Sequence, residues 1–193
     1  MKKTTKSALV ALGACVALAL AASPATADTT TSVVSGGSLT ETTSGATLSG
    51  VTLDGSNTQT ATGTASSEWS ITDARGTGAP WTLSVSATDF TSDGGTVETA
   101  PRSIPASALT ITPGSVTAAA GSDSASNIDA SPLAVSTTAQ ALVSAPGSDK
   151  GTYALTPSFS LAVPANAYRS NYSGEIGSSA LNPYTSTLTY TIG

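Results

Sequence analysis

The residues of this chain that could act on a bond are few, and most of them are carboxylates. Glu68 or Glu98, each taken with an Asp, has the chemistry of a paired-carboxylate glycosidase, in which two carboxyls at a suitable separation serve as acid and nucleophile. Lys150, set three residues after Pro-Gly at 146–147, is the lysine that a Ser-Lys hydrolase would use, with Ser148 as its partner. Neither pair lies in a recognisable motif. Asp89, Asp93, Asp123 and Asp129 offer the oxygen ligands that calcium takes. However, Asp89-Phe90-Thr91-Ser92-Asp93-Gly94 lacks the alternating acids and terminal Glu of a calcium loop, and a turn carrying acidic residues is the simpler reading. The chain has no histidine, which removes imidazole acid–base chemistry, the Ser-His-Asp triad and the usual zinc sites. Its one cysteine, Cys15, lies in an apparent export signal, so the exported protein has no thiol or disulfide. No catalytic residue, no metal and no cofactor is expected.

The elements around these residues begin with that signal. Met1–Lys6 holds three lysines, Ser7–Ala22 is a short Ala/Leu/Val run, and Ala25-Thr26-Ala27 supplies the small residues of a cleavage site after Ala27. A competing reading takes Leu12-Gly13-Ala14-Cys15 as a lipoprotein signal with Cys15 acylated, but the apolar Val16–Ala22 follows where a polar tether is expected. The apolar run falls short of the roughly 20 residues of a bilayer span, and no later run approaches it, so no transmembrane anchor is expected. Without the three leader lysines, four cations face twelve acids, a charge of −8. So acidic a chain lacks the clustered Lys and Arg of a nucleic-acid binder. About a third of the chain is Ser plus Thr, and this β-branched, weakly charged composition fits a secreted all-β surface protein. A chain without disulfides fits a Gram-positive exterior better than a eukaryotic secretory route.

Residues 28–38 read as a flexible, Thr-rich lead and residues 39–193 as a single domain. No segment of that domain has a convincing helical period. Apolar and polar residues alternate in Trp69-Ser70-Ile71, Trp81–Ala87, Leu109–Thr112, Tyr153–Val163 and Tyr184–Ile192, as they do in half-buried strands. Turn chemistry separates them at Asp54-Gly55, Arg75-Gly76-Thr77-Gly78, Asp93-Gly94-Gly95, Pro113-Gly114 and Pro146-Gly147. Ala118–Ser131 reads as a surface loop, and no internal repeat marks a solenoid or propeller. The expected fold is an all-β, antiparallel β-sandwich with Greek-key, Ig-like links, because a sheet with one apolar face must bury it against another.

One segment, Asp73-Ala74-Arg75-Gly76-Thr77-Gly78-Ala79-Pro80-Trp81-Thr82-Leu83-Ser84-Val85, resembles the first motif of the WxL domains of Gram-positive surface proteins: a glycine-rich turn, then Trp-x-Leu opening a strand. The family's carboxy-terminal motif, Tyr-x-x-x-Leu-Thr-Trp-x-Leu, is matched at Tyr184, Leu188 and Thr189, with Tyr190 and Ile192 in place of Trp and Leu. Ile104–Leu109 and Gly151-Thr152-Tyr153 extend the likeness over most of the exported chain. The resemblance implies a non-enzymatic, extracellular protein that associates noncovalently with peptidoglycan or another cell-wall polymer, often beside other surface proteins. It makes Trp81, Leu83, Tyr184, Leu188, Tyr190 and Ile192 candidates for wall binding. The alternative is a structural or adhesive subunit acting through protein–protein contacts or self-association at strand edges.

Two readings stand for these motif residues: Trp81, Leu83, Tyr190 and Ile192 fill the sandwich core, or they present an aromatic face to the wall. Trp69 and Tyr153 are open to the same two readings. Tyr168-Arg169-Ser170-Asn171-Tyr172 reads as an exposed aromatic loop, which makes Tyr168, Arg169, Asn171 and Tyr172 secondary binding candidates. Asp73 and Arg75 are expected to pair across the turn and fix the entry to the Trp81 strand.

Overall fold

The computed structural model describes residues 30–193; the expected export signal, Cys15 and the first residues of the expected Thr-rich lead lie outside the described residues. The chain divides into Met1–Val34 and Ser35–Gly193. In the first unit residues 30–34 are exposed and belong to no strand. The second unit holds every strand described below.

The strands in chain order are β1 (Leu39–Thr42), β2 (Gln59–Thr64), β3 (Trp69–Asp73), β4 (Trp81–Ala87) and β5 (Phe90–Ser92). They continue with β6 (Arg102–Ile104), β7 (Leu109–Thr112), β8 (Thr117–Ala118), β9 (Leu133–Ala134) and β10 (Gln140–Ala145). The last five are β11 (Gly151–Leu155), β12 (Ser158–Val163), β13 (Asn171–Tyr172), β14 (Leu181–Asn182) and β15 (Leu188–Ile192). Helix among the described residues is limited to two short 3-10 turns, Ala106–Ala108 and Ala125–Asn127.

The described part of the chain is therefore all-β apart from these two turns, and its strand pairs are antiparallel. Three sheets form, with strand orders β1-β3-β11-β8, β10-β4-β15 and β2-β12-β7-β9, beside two ribbons, β13-β14 and β5-β6. Alternation explains why each sheet has a dry face. In β4, Trp81, Leu83, Val85 and Ala87 are buried while Thr82, Ser84 and Ser86 are half-buried on the other side, as the two-residue period of a strand requires. The buried faces of the three sheets meet in one sandwich-like core. Trp69 of β3 touches Phe159 of β12 edge-on at 6.3 Å between ring centroids, and Trp81 of β4 touches Tyr153 of β11 at 6.1 Å.

Several boundaries differ from the sequence reading. Tyr153–Val163 is two strands in different sheets, interrupted at Thr156-Pro157, where Pro157 has no amide to donate to a ladder. Within Tyr184–Ile192 the regular strand starts only at Leu188, Thr185 making a single isolated bridge to Thr91. Ala118–Ser131 is more ordered than a plain loop: it contains a 3-10 turn, and Asp129 bridges Ser144. Strand β10 escaped detection because a bulge between Ala141 and Val143 turns both Leu142 and Val143 inward, which breaks the alternation.

Candidate functional site

The first motif is a device that locks the fold. Arg75 grips Asp73 with two hydrogen bonds, Nε to Oδ1 at 3.0 Å and Nη2 to Oδ2 at 2.9 Å, and Nη2 also donates to the carbonyl of Ala79 at 2.8 Å. Asp73 is buried, and the Arg75 guanidinium holds its carboxyl below the usual carboxylate range. The expected pairing across the turn is thus present, and it fixes the backbone that delivers Trp81. The Trp81 indole is 1% exposed and donates to the backbone oxygen of Asp149 at 3.2 Å, on the loop between β10 and β11. Leu83 is wholly buried. The Trp-x-Leu side chains therefore pack in the core and present no ring to the surface.

The second motif lies directly against the first. Strand β15 pairs with β4 so that Ile192 is opposite Leu83, Tyr190 opposite Val85 and Leu188 opposite Ala87. Leu188, Tyr190 and Ile192 are half-buried against the core, as is Tyr184. The structure thus brings the two motifs together as neighbouring strands, although about a hundred residues separate them in the chain.

The accessible aromatic surface lies elsewhere. Tyr168 is 70% exposed. The Arg102 guanidinium sits 5.3 Å from the Tyr168 ring centroid, and that of Arg169 sits 4.3 Å from the Tyr172 centroid. Both guanidiniums converge on one carboxylate: Arg102 Nη2 donates to Glu98 Oε1 at 2.8 Å and Arg169 Nη2 to the same oxygen at 2.7 Å. Glu98 Oε2 also accepts the backbone N–H of Tyr172 at 2.9 Å. These donors, Arg169 foremost, hold the Glu98 carboxyl down to about 2. Below the rings, the Tyr184 hydroxyl donates to the Tyr168 carbonyl at 2.9 Å, which ties the loop to the start of the second motif.

Asn171 corrects the reading of this loop as exposed throughout. It is fully buried, and its Nδ2 donates to the carbonyls of Ser92, Asp93 and Ala100 at 3.2, 3.1 and 2.9 Å. An amide with that many acceptors is an anchor, so Asn171 holds the loop while Tyr168 and Arg169 project from it. Arg102 was missed in the sequence, because outside a helix no local spacing marks it as a neighbour of Glu98 and Tyr168.

Beside Tyr168 a cleft of about 1090 Å³ opens between the β2-β12-β7 sheet and the segment 46–53. Leu109, Phe159 and Leu161 form its floor, and Leu48 and Leu53 cover it. The segment runs close over β2 because residue 63 is glycine: a Cβ there would stand 2.5 Å from the Thr47 carbonyl oxygen. Ser49 N–H donates to Thr62 O at 2.8 Å and completes the attachment. No residue pattern in 46–53 announces this role.

Several of the residues with catalytic or metal-binding chemistry are engaged in structural bonds. Lys150 Nζ donates to Asp123 Oδ2 at 2.7 Å, and that bond raises the lysine's pKa and lowers the aspartate's. Asp89 accepts the Ala106 N–H at 2.8 Å, and Asp129 accepts the Ser131 hydroxyl at 2.8 Å. Among the described residues no three His, Cys, Asp or Glu side chains are grouped to hold a metal ion, and no helix is long and apolar enough to cross a membrane.

No curated protein and no solved structure matches the chain. The family model for the WxL domain, described as surface cell wall-binding, matches residues 34–192, a stretch that contains both motifs, the aromatic loop and the cleft. The chain belongs to the family of WxL domain surface proteins that bind the cell wall.

Proposed function

We propose that the chain is an exported, non-catalytic module that holds noncovalently to the peptidoglycan of a Gram-positive cell wall. The observation that carries this reading beyond the family is the exposed Tyr168 ring, backed by Arg102 and anchored from below by Asn171 and Tyr184. A rigid, solvent-facing ring is the element that stacks on a sugar face, and the Ser and Thr hydroxyls around it suit glycan or peptide groups. The acidic surface opposes long-range attraction to anionic wall polymers, so contact is local and polar rather than driven by net charge. The state of two of the candidate groups supports the non-catalytic reading. A general acid must carry a proton near neutral pH, yet Glu98 is held ionised between two arginines. A lysine base must be neutral, yet Lys150 is held charged by Asp123.

Sedimentation of the purified protein with peptidoglycan across a salt series tests the proposal. Saturable pelleting that survives salt and falls several-fold in Tyr168→Ala is the expected result. A protein that stays in the supernatant at every salt concentration overturns autonomous wall binding and points to a protein partner instead.

A further inference from the structure

The cleft beneath residues 46–53 has an apolar floor and a rim that carries hydroxyls. Leu109, Phe159 and Leu161 of the floor are nearly wholly buried, and Leu48, Val51, Leu53 and Leu181 supply the accessible apolar lining. Its volume of about 1090 Å³ is that of a small-molecule site, and such sites are typically apolar with a few convergent polar groups.

The charged groups here have one sign. Of the four cations that follow Lys6, two, Arg102 and Arg169, line this cleft, whereas none of the chain's twelve acids does. Glu98, just outside the lining, pairs with both arginines at 2.8 and 2.7 Å. One carboxylate between two guanidiniums leaves a single positive charge beside an apolar cleft, in a domain that is otherwise strongly acidic. Arg169 is still 42% exposed in its side chain, so it can meet a second anion without leaving Glu98.

We infer that the cleft binds a single-chain anionic amphiphile, its apolar tail lying against the accessible apolar lining at Leu48, Val51, Leu53 and Leu181 and its carboxylate or phosphate head at Arg169 and Arg102. Burial of the tail supplies affinity, because taking apolar surface out of water is favourable. The charge-assisted bonds to the head supply selectivity over neutral and cationic chains. Tyr168 also borders this cleft, but the inference does not depend on wall binding.

Titration calorimetry with three probes tests it: dodecanoate, dodecanol and dodecyltrimethylammonium, each below its aggregation concentration. Dodecanoate is expected to bind at one saturable site, about tenfold tighter than dodecanol and more tightly still than the ammonium. Arg169→Gln should weaken dodecanoate about fivefold to tenfold and leave dodecanol unchanged. Leu181→Trp, which enlarges a side chain at the half-exposed rim of the cleft, should weaken both. The inference is overturned if dodecanoate shows no saturable binding, if the ammonium binds as well as the carboxylate, or if Arg169→Gln leaves the order unchanged. Pelleting with peptidoglycan, read on the same variants, keeps a failure of this site distinct from a failure of wall binding.

Discussion

The rings of Trp69 and Tyr190 meet edge to face with centroids 4.8 Å apart, joining β3 of one sheet to β15 of another. Trp69 is fixed from behind by a hydrogen bond from its Nε1 to the Ser44 carbonyl at 3.0 Å. The Tyr190 hydroxyl, by contrast, is buried with no partner among the described residues. Burial accordingly pushes its phenol well above the usual range.

Tyr190→Phe should therefore stabilise the fold, by about 1 kcal/mol, because it keeps the ring contact and removes an unsatisfied polar group. A phenol whose folded pKa is raised contributes stability that is complete below its unfolded pKa of about 10 and is lost as pH rises beyond it. The variant should thus lose less stability than the parent between pH 9 and pH 11. Urea unfolding at both pH values checks both statements; a destabilised Phe variant would mean that the hydroxyl has a partner after all.

Trp81→Ala should lower stability by about 3–5 kcal/mol, since it empties a core site and strands the Asp149 carbonyl that the indole serves. Wall pelleting per folded molecule should not change, because the ring does not reach the surface. Parallel unfolding and sedimentation measurements separate the two effects.

Acid should unfold the domain through its paired carboxylates. Asp73, Glu98 and Asp123 all have folded pKa values below their ordinary ones, owing chiefly to Arg75, Arg169 and Lys150 respectively. A depressed carboxylate contributes stability that is complete above its unfolded pKa, about 4, and is lost as pH falls through the folded value, about 2 for Glu98. The melting temperature should be level from pH 7 to about 5 and then decline, and Arg75→Gln should reduce that decline. A variant as acid-sensitive as the parent would remove the Asp73–Arg75 pair from the account.

Gly63→Ala should lift the 46–53 segment from β2, because its Cβ would meet the Thr47 carbonyl oxygen. The expected loss is about 1–3 kcal/mol, with weaker dodecanoate binding where the covering residues Leu48 and Leu53 have moved. Thermal melts and calorimetry on the same sample decide; an unchanged variant would show that the segment yields freely.

Much of this protein is legible in its sequence, and the reason is local. The alternation in Trp81–Ala87 and Leu109–Thr112 dictates half-buried strands wherever they pair, and the Asp73–Arg75 contact closes within three residues of chain. Class, strand identity and the family's motifs follow from such short-range patterns. What only the tertiary structure decided is nonlocal: that β15 lies along β4, that Trp81 faces inward rather than outward, and that Asn171 is an anchor inside a loop of exposed rings. The cleft belongs to the same group, since Arg102, Arg169 and residues 46–53 come together only when separate sheets and loops pack. An alternating strand states that one face is buried, but which partner buries it is a property of the packed chain and not of the strand.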